Sequence, residues 1–300
     1  MFFNIGRYRC ENNSVEVKDG YYYIVPSDKA LGSKNTEAGK IYTVKEKKAQ
    51  NWQSGKFTVD EDGTQVYFSK GNLQYNTGTK EWCFAPQQYE IRHATGDNVG
   101  DNYASWETDN KWTDLFGWGM WLDGTAAASI IQTKTDGTYN PATTNNEFSN
   151  NTTTVEGTAW FTLSSAQWQY LFNTRGGTDV IRYAKATVCG KTGVILLPDG
   201  WSASTTLNNT NTADAAYNVN VFEKESDWKP LEDAGAVFLP AAGCRLGAKV
   251  LNVGSDGRYW SSSADGSSDA FYLYFTSGCV YPAYYINRGI GFSVRLVRGL

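Results

Sequence analysis

A β-rich α+β fold with few short helices is what three features of the chain predict. Short aromatic and β-branched runs recur along its 300 residues, of which 41% are hydrophobic and 15% aromatic. Its 30 glycines, with abundant Asn, Thr and Ser, punctuate those runs at turn spacing. One stretch alone carries a full helix-start signature, and it is short. The length suits one or two domains with a real core.

The elements follow in order. Residues 1–55 read as a small β segment, with "YYYIVPSD" as an aromatic strand stopped by Pro26 and "GKIYTVKEKK" as an alternating one. "NWQSG" (Asn51 to Gly55) reads as a junction, and residues 56–300 as the main domain. There, "QVYFSKGNLQYN" predicts strand, bend and strand, and "KEWCFAPQQYEI" a strand and turn. In "DNKWTDLFGWGMW", Trp112, Leu115 and Phe116 stand at helical spacing after Asp109, which predicts a short helix. Residues 123–158 are Thr-, Asn- and Gly-rich and read as a long insertion with a hairpin.

The best helix is "TLSSAQWQYLFNTRGG". Ser164 and Gln167 stand three apart as a capping box, Leu163 and Trp168 occupy the staple positions, and Gly176 and Gly177 end it. Strands then follow closely: "YAKATVCG", "TGVILLPDGW", "GAVFLPAAGCR", "GRYWSSS", "AFYLYFTSG" and "GFSVRLVR". Alternation puts Phe271, Leu273 and Phe275 on one face of the "AFYLYFT" strand and Tyr272, Tyr274 and Thr276 on the other. In the last strand it sets Phe292, Val294 and Leu296 against Ser293, Arg295 and Val297.

Composition removes several kinds of chemistry. A net charge of −4 without a basic stripe argues against nucleic-acid binding. No run is long and apolar enough to span a membrane, and "MFFNIGRYRC" does not read as a signal peptide. The five cysteines (Cys10, Cys83, Cys189, Cys244 and Cys279) are scattered, without a CxxC, and His93 is the single histidine. "VDEDGTQ" (Val59 to Gln65) starts like a calcium loop but lacks its closing Glu, so a D-G turn is favoured. In "TGDNVGDN", Asp97 and Asp101 read as a polar loop. No nucleophile elbow, P-loop or dinucleotide fingerprint occurs, and no cofactor or metal site is expected.

The order of "SSAQW", "ILLPDGW", "GAVFLPAAG", "GRYWSSS" and "GFSVRLVR" resembles the C-type-lectin-like fold in the variant shared with formylglycine-generating enzymes. More closely, it resembles the variable proteins of diversity-generating retroelements, which include phage tropism determinants and bacterial surface proteins. The likeness covers roughly residues 56–300, and "YWSSS" with "GFSVRLVR" carries it. It implies a non-catalytic ligand-binding protein on a cell surface or phage particle. The region of about 258–298 would be diversified, with a cell-surface protein as the expected ligand.

An independent check comes from the genetic code. Such retroelements mutate template adenines, and an Asn codon randomised at its first two bases cannot encode Lys, Glu, Gln, Met or Trp. None of these five types occurs after Trp260, although together they are frequent upstream. The expected binding surface is Asp265, Ser267, Ser268, Asp269, Tyr272, Tyr274, Ser277, Cys279, Tyr281, Ala283, Tyr284, Tyr285, Ile286, Asn287, Gly289 and Ile290. Tyrosines would be its anchors, as in antibody loops. Phe271 falls by parity with the inward residues. Trp260, Leu273, Phe275, Val280, Pro282, Phe292, Val294 and Leu296 would form the fixed scaffold, and Arg288 would tie the loop to carbonyls or a carboxylate.

Two other readings stand beside this one. A structural adhesin or pilus-like subunit would show no concentration of variation near the C-terminus. A formylglycine-generating type of enzyme would need closely spaced cysteines, which the C-terminal part lacks. Calcium-dependent lectins carry an EPN or WND motif and paired disulfides, and this chain has neither motif.

Overall fold

The computed structural model describes residues 16–18, 21–23, 51–76, 79, 81–91, 112–119, 152–202, 205–246 and 249–300. The chain divides into two units, Met1–Gln50 and Asn51–Leu300. In the first, β1 (Glu16–Lys18) pairs antiparallel with β2 (Tyr21–Tyr23), Val17 opposite Tyr22. The "GKIYTVKEKK" run, His93, Cys10, Asp97, Asp101 and Asp109 lie outside the described residues.

The second unit begins before the expected junction ends. Gln53 N–H donates to Phe68 O, and Asn51 O accepts from Lys70 N–H, both at 2.8 Å. β3 (Phe57–Thr58) and β4 (Gln65–Phe68) then form a hairpin. Its turn is the "VDEDGTQ" segment: Asp60 Oδ1 accepts Thr64 N–H at 2.8 Å, and Gly63 takes φ +83°, where a side chain would be strained. β5 (Leu73–Asn76) pairs with β6 (Glu81–Phe84) and β7 (Trp112–Thr113).

β7 corrects the helix expected around Trp112. Trp112 and Thr113 are extended, and Phe116 bridges Phe292. Helical spacing of three apolar residues was matched here by a strand that buries nearly everything. Thr113, Asp114, Leu115, Phe116 and Trp118 all have 0% exposure, so period carries no information about the element.

The end of the insertion is a hairpin, β8 (Thr153–Val155) with β9 (Thr158–Trp160). The capped helix α1 (Ser165–Gln169) follows. Ser164 Oγ accepts Gln167 N–H at 3.2 Å, and Gln167 Oε1 accepts Ser164 N–H at 2.9 Å. A π-turn over Tyr170–Thr174 continues the helix, and Gly176 and Gly177 leave it at φ +72° and +81°. Trp168, Leu171 and Phe172 face the core, with Leu163.

β10 (Tyr183–Val188) and β11 (Lys191–Leu196) lie between β12 (Val221–Phe222) and β13 (Val237–Pro240). α2 (Glu225–Asp233) buries Trp228 and Leu231 in a cluster with Ala186, Val188, Ile195 and Phe238. β14 (Cys244–Leu246) pairs with β15 (Lys249–Leu251). The third sheet runs in the order β16 (Gly257–Asp265), β17 (Asp269–Phe275), β18 (Val280–Asn287). β19 (Val297–Gly299) returns to β4. Among the described residues, two short α-helices stand beside many strands, and the fold is β-rich. No helix among the described residues is long and apolar enough to cross a membrane.

The expected single last strand is broken. Residues 291–293 make isolated bridges, 294–296 pair irregularly, and only Val297–Gly299 form a regular strand. Its alternation nevertheless holds. Phe292, Val294 and Leu296 enter one core with Trp260 and Tyr272, whereas Val297 enters the other with Leu273 and Phe275. Arg295, on the second face, has 0% exposure. Its Nη2 donates to Gln88 Oε1 at 2.7 Å and to Lys70 O at 3.4 Å, and its Nη1 donates to Asn72 Oδ1 at 3.3 Å and Phe238 O at 3.4 Å. Burial lowers this guanidinium to about 10, which leaves it a cation at neutral pH.

Two predictions test these buried cations. Arg295→Ala strands four acceptors from three parts of the chain and should cost about 3–5 kcal/mol of stability by denaturant titration. Lys185 is also fully buried, with Nζ donating to Ala213 O and lying 5.9 Å from the Tyr217 ring centre. Burial lowers its amine to about 8. Between about pH 8 and 10 the unfolded chain then holds more protons than the native one, so this residue makes stability rise with pH. Lys185→Met should remove that rise. The readout is the difference in Tm between variant and wild type across this window, in which other titrating groups cancel.

Candidate functional site

The β16–β17–β18 sheet builds the candidate site, and its strands are locked at their base. Tyr259, Leu273 and Phe275 face one core, and Trp260, Ala270 and Tyr272 the other. Gly257 lies opposite Phe275, where a Cβ would come within 1.9 Å of its ring, so only glycine lets the ring lie against β16. Between β16 and β17 the register moves by two residues, Trp260 facing Tyr272 but Ala264 facing Ala270. "SSS" fills the bulge with its own polar groups. Ser261 Oγ donates to Phe271 O at 2.7 Å, and Ser263 Oγ accepts Ser165 N–H from α1 at 3.1 Å.

A second bulge decides which tyrosines meet. Tyr272 faces Tyr284, but Tyr274 faces Tyr281, so β18 spends three residues where β17 spends two. Tyr281 and Tyr284, which simple alternation would put on opposite faces, therefore share one. Pro282 lies in the extra stretch, where its missing N–H leaves no ladder bond unmade, and its side chain is buried.

The result is an aromatic stack growing out of the core. Trp260 and Phe292 are 4.4 Å apart between ring centres, and Phe292 and Tyr272 4.6 Å. Tyr272 meets Tyr284 edge-on at 5.8 Å. Tyr274, Tyr281 and Tyr284 then stack mutually, with centres 5.7–6.3 Å apart and planes inclined by 13–28°. Tyr285 stands 6.0 Å from Tyr284 and meets Phe271 edge-on at 6.2 Å. Burial raises the phenol pKa of Tyr272 and Tyr274, so both stay neutral donors at physiological pH.

Apart from Tyr272 and Gly289, the expected surface residues fall into three groups. Tyr281, Tyr284 and Tyr285 are 51%, 46% and 55% exposed, among the largest exposed apolar groups described. Ser267, Ser268 and Ser277 are exposed at the two hairpin turns. Asp265, Asp269, Tyr274, Cys279, Ala283, Ile286, Asn287 and Ile290 are half-buried, with Ile286 and Ile290 packed on the core.

Tyr272 and Gly289 are corrections. Tyr272 is 2% exposed, because its position opposite Trp260 sinks it into the core, and Gly289 is buried. Neither offers a side-chain surface. Phe271, expected inward, is half-buried and turned to Tyr285.

Arg288 is the anchor expected of it. It is 1% exposed, its Nε donates to Asp269 O at 2.9 Å, and its Nη2 donates to Gly266 O at 2.8 Å. It thus holds the β16–β17 turn, and its guanidinium lies 4.3 Å from the Trp118 ring centre. Arg258 and Asp256 were not singled out by sequence. Arg258 Nη2 donates to Asp256 Oδ2 at 2.8 Å, and its guanidinium lies over Tyr274 at 5.2 Å and Phe292 at 5.5 Å. The usable signal was the even-position phase that Arg258 shares with Trp260, but reading it requires the register with Tyr274.

Chemically, the face offers phenol rings, hydroxyls and amides. β18 carries no charged residue. Among the described residues no group of three His, Cys, Asp or Glu stands close enough to hold a metal. Cys83, Cys189, Cys244 and Cys279 are free thiols.

The placements can be tested by truncation. Tyr284→Ala and Tyr285→Ala should each change stability by less than about 1 kcal/mol. Tyr272→Ala should cost about 3–5 kcal/mol, as loss of a buried aromatic does. Chemical denaturation of the three variants reads both outcomes.

Of known families, the one described as Domain of unknown function (DUF8237) matches residues 204–297, the stretch from before β12 to the start of β19. No curated protein and no solved structure matches the chain.

Proposed function

We propose that this is a non-catalytic ligand-binding protein of C-type-lectin-like fold whose C-terminal surface is diversified by a retroelement. The observation that carries the reading is the exposed tyrosine face of β18, composed only of residue types reachable from an Asn codon and set on a rigid base. Large aromatic side chains give much contact area for little rotamer entropy, and Ser, Asn and Gly around them adapt their hydrogen bonds. A single such tyrosine at the centre of an interface contributes on the order of 2 kcal/mol. The uncharged face suits a protein ligand met through apolar and hydrogen-bonded contact. Such a ligand lies on a cell surface, and the protein acts outside the cell or on a phage particle.

The test is genomic. A near-copy of the coding segment for residues of about 258–298 should lie beside a reverse transcriptase gene. Mismatches should fall only at template adenines, including those in the codons for Tyr281, Tyr284 and Tyr285. The codons for Val280, Pro282, Phe292 and Val294 should match. Absence of any such copy would sink the reading and leave a plain adhesin.

A further inference from the structure

Among the described contacts, Arg258 is the cation that lies against the tyrosine face. Arg258 stands directly opposite Tyr274 across β16 and β17, its guanidinium 5.2 Å from the Tyr274 ring centre and 5.5 Å from that of Phe292. Asp256, itself 8% exposed, holds one end of the guanidinium, and Asn252 Nδ2 donates to the same carboxylate oxygen at 3.1 Å. The Arg258 Nε is buried and has no hydrogen-bond partner among the described residues, so the Asp256 ion pair and the two rings hold the guanidinium. Tyr274 is in turn the inner ring of the stacked trio, lying against both Tyr281 and Tyr284.

We infer that Arg258 is a positioning residue for the binding face: its guanidinium clamps the ring at position 274, and through that ring aligns Tyr281 and Tyr284. The functional consequence rests on the binding reading above, whereas the clamp itself does not. A planar guanidinium stacks on an aromatic face as an ammonium cannot, so lysine is a poor substitute. Arg258 also biases what position 274 tolerates, because an aromatic residue there keeps the cation covered. Position 274 then differs in kind from 281, 284 and 285, whose rings have no cation under them among the described contacts.

Arg258→Met and Arg258→Lys in the full chain test this. By NMR, contacts between the Tyr274 ring and the Tyr281 and Tyr284 rings should weaken in both variants. The Tyr274 phenol should titrate higher in Arg258→Met only, since the cation that lowers it is gone. The titration reports only that the cation lies near the ring; a purely structural role would change Tm and leave the contacts among these rings unchanged. If Arg258→Met does not fold, Arg258→Lys decides by ring contacts alone. Unchanged contacts in a folded variant overturn the inference.

A second arm reads function. The full chain is displayed on yeast with positions 274, 281, 284 and 285 randomised by NNY codons, with Arg258 or with Arg258→Met, and both libraries are sorted against lysozyme. Phe and Tyr at 274 should be enriched about two- to fivefold more with Arg258, the equivalent of a partly exposed cation–π contact. Equal enrichment overturns the inference. A failure of both libraries to yield any binder counts against the binding reading instead, and the ring contacts and titration then decide the role of Arg258.

Discussion

The segment from Gly291 to Val297 has little regular structure of its own, yet the rest of the second unit hangs on it. Gly291 exchanges both backbone bonds with Arg245, and Phe292 does so with Phe116. Ser293 N–H donates to Arg258 O and Ser293 O accepts from Trp260 N–H. Val294 O accepts from Leu73 N–H, Leu296 O from Ser69 N–H, and Val297 exchanges bonds with Phe161. A strand shared among so many partners cannot keep one ladder, which is why it is broken. Its side chains close two cores at once, and Arg295 ties it to Gln88, Asn72 and two carbonyls. These contacts join the C-terminal segment to residues more than two hundred positions earlier.

This constraint makes the outer sheet both rigid and replaceable. β16 and the base of β17 are held by the central segment, by α1 through the serine bulge and by Arg288 across the turn. β18 lies at the sheet's edge among the described strands and projects side chains that few others need. Losing a buried neighbour costs several kcal/mol, whereas changing an exposed tyrosine costs little. The aromatic stack spans this gradient in steps of 5.7–6.3 Å between ring centres, from Trp260 through Tyr272 and Tyr274 to Tyr281 and Tyr284. An exposed face so constructed keeps its backbone when its outer side chains are replaced.

Much of this was legible in sequence because it is local. The capping box at Ser164, the turn at Gly63 and the alternation through Phe292–Val297 depend on spacing over a few residues, and all are present. The Arg288 anchor was readable as well, because a lone arginine in an apolar, turn-rich stretch needs acceptors. The helix expected at Trp112 failed where burial on all sides erased periodicity. Tyr272 looked like its neighbours in composition, and only its partner Trp260 separates it from them.

The sequence by itself determined the β-rich class, the capping box at Ser164 and the point after Trp260 where Lys, Glu, Gln, Met and Trp cease, because composition, propensity and capping act residue by residue. The tertiary structure alone decided which of those residues form a surface. Two bulges, at Ser261–Ser263 and around Pro282, reset the phase of neighbouring strands. A register shift of one residue exchanges inside for outside, and no single strand contains the information to choose between them.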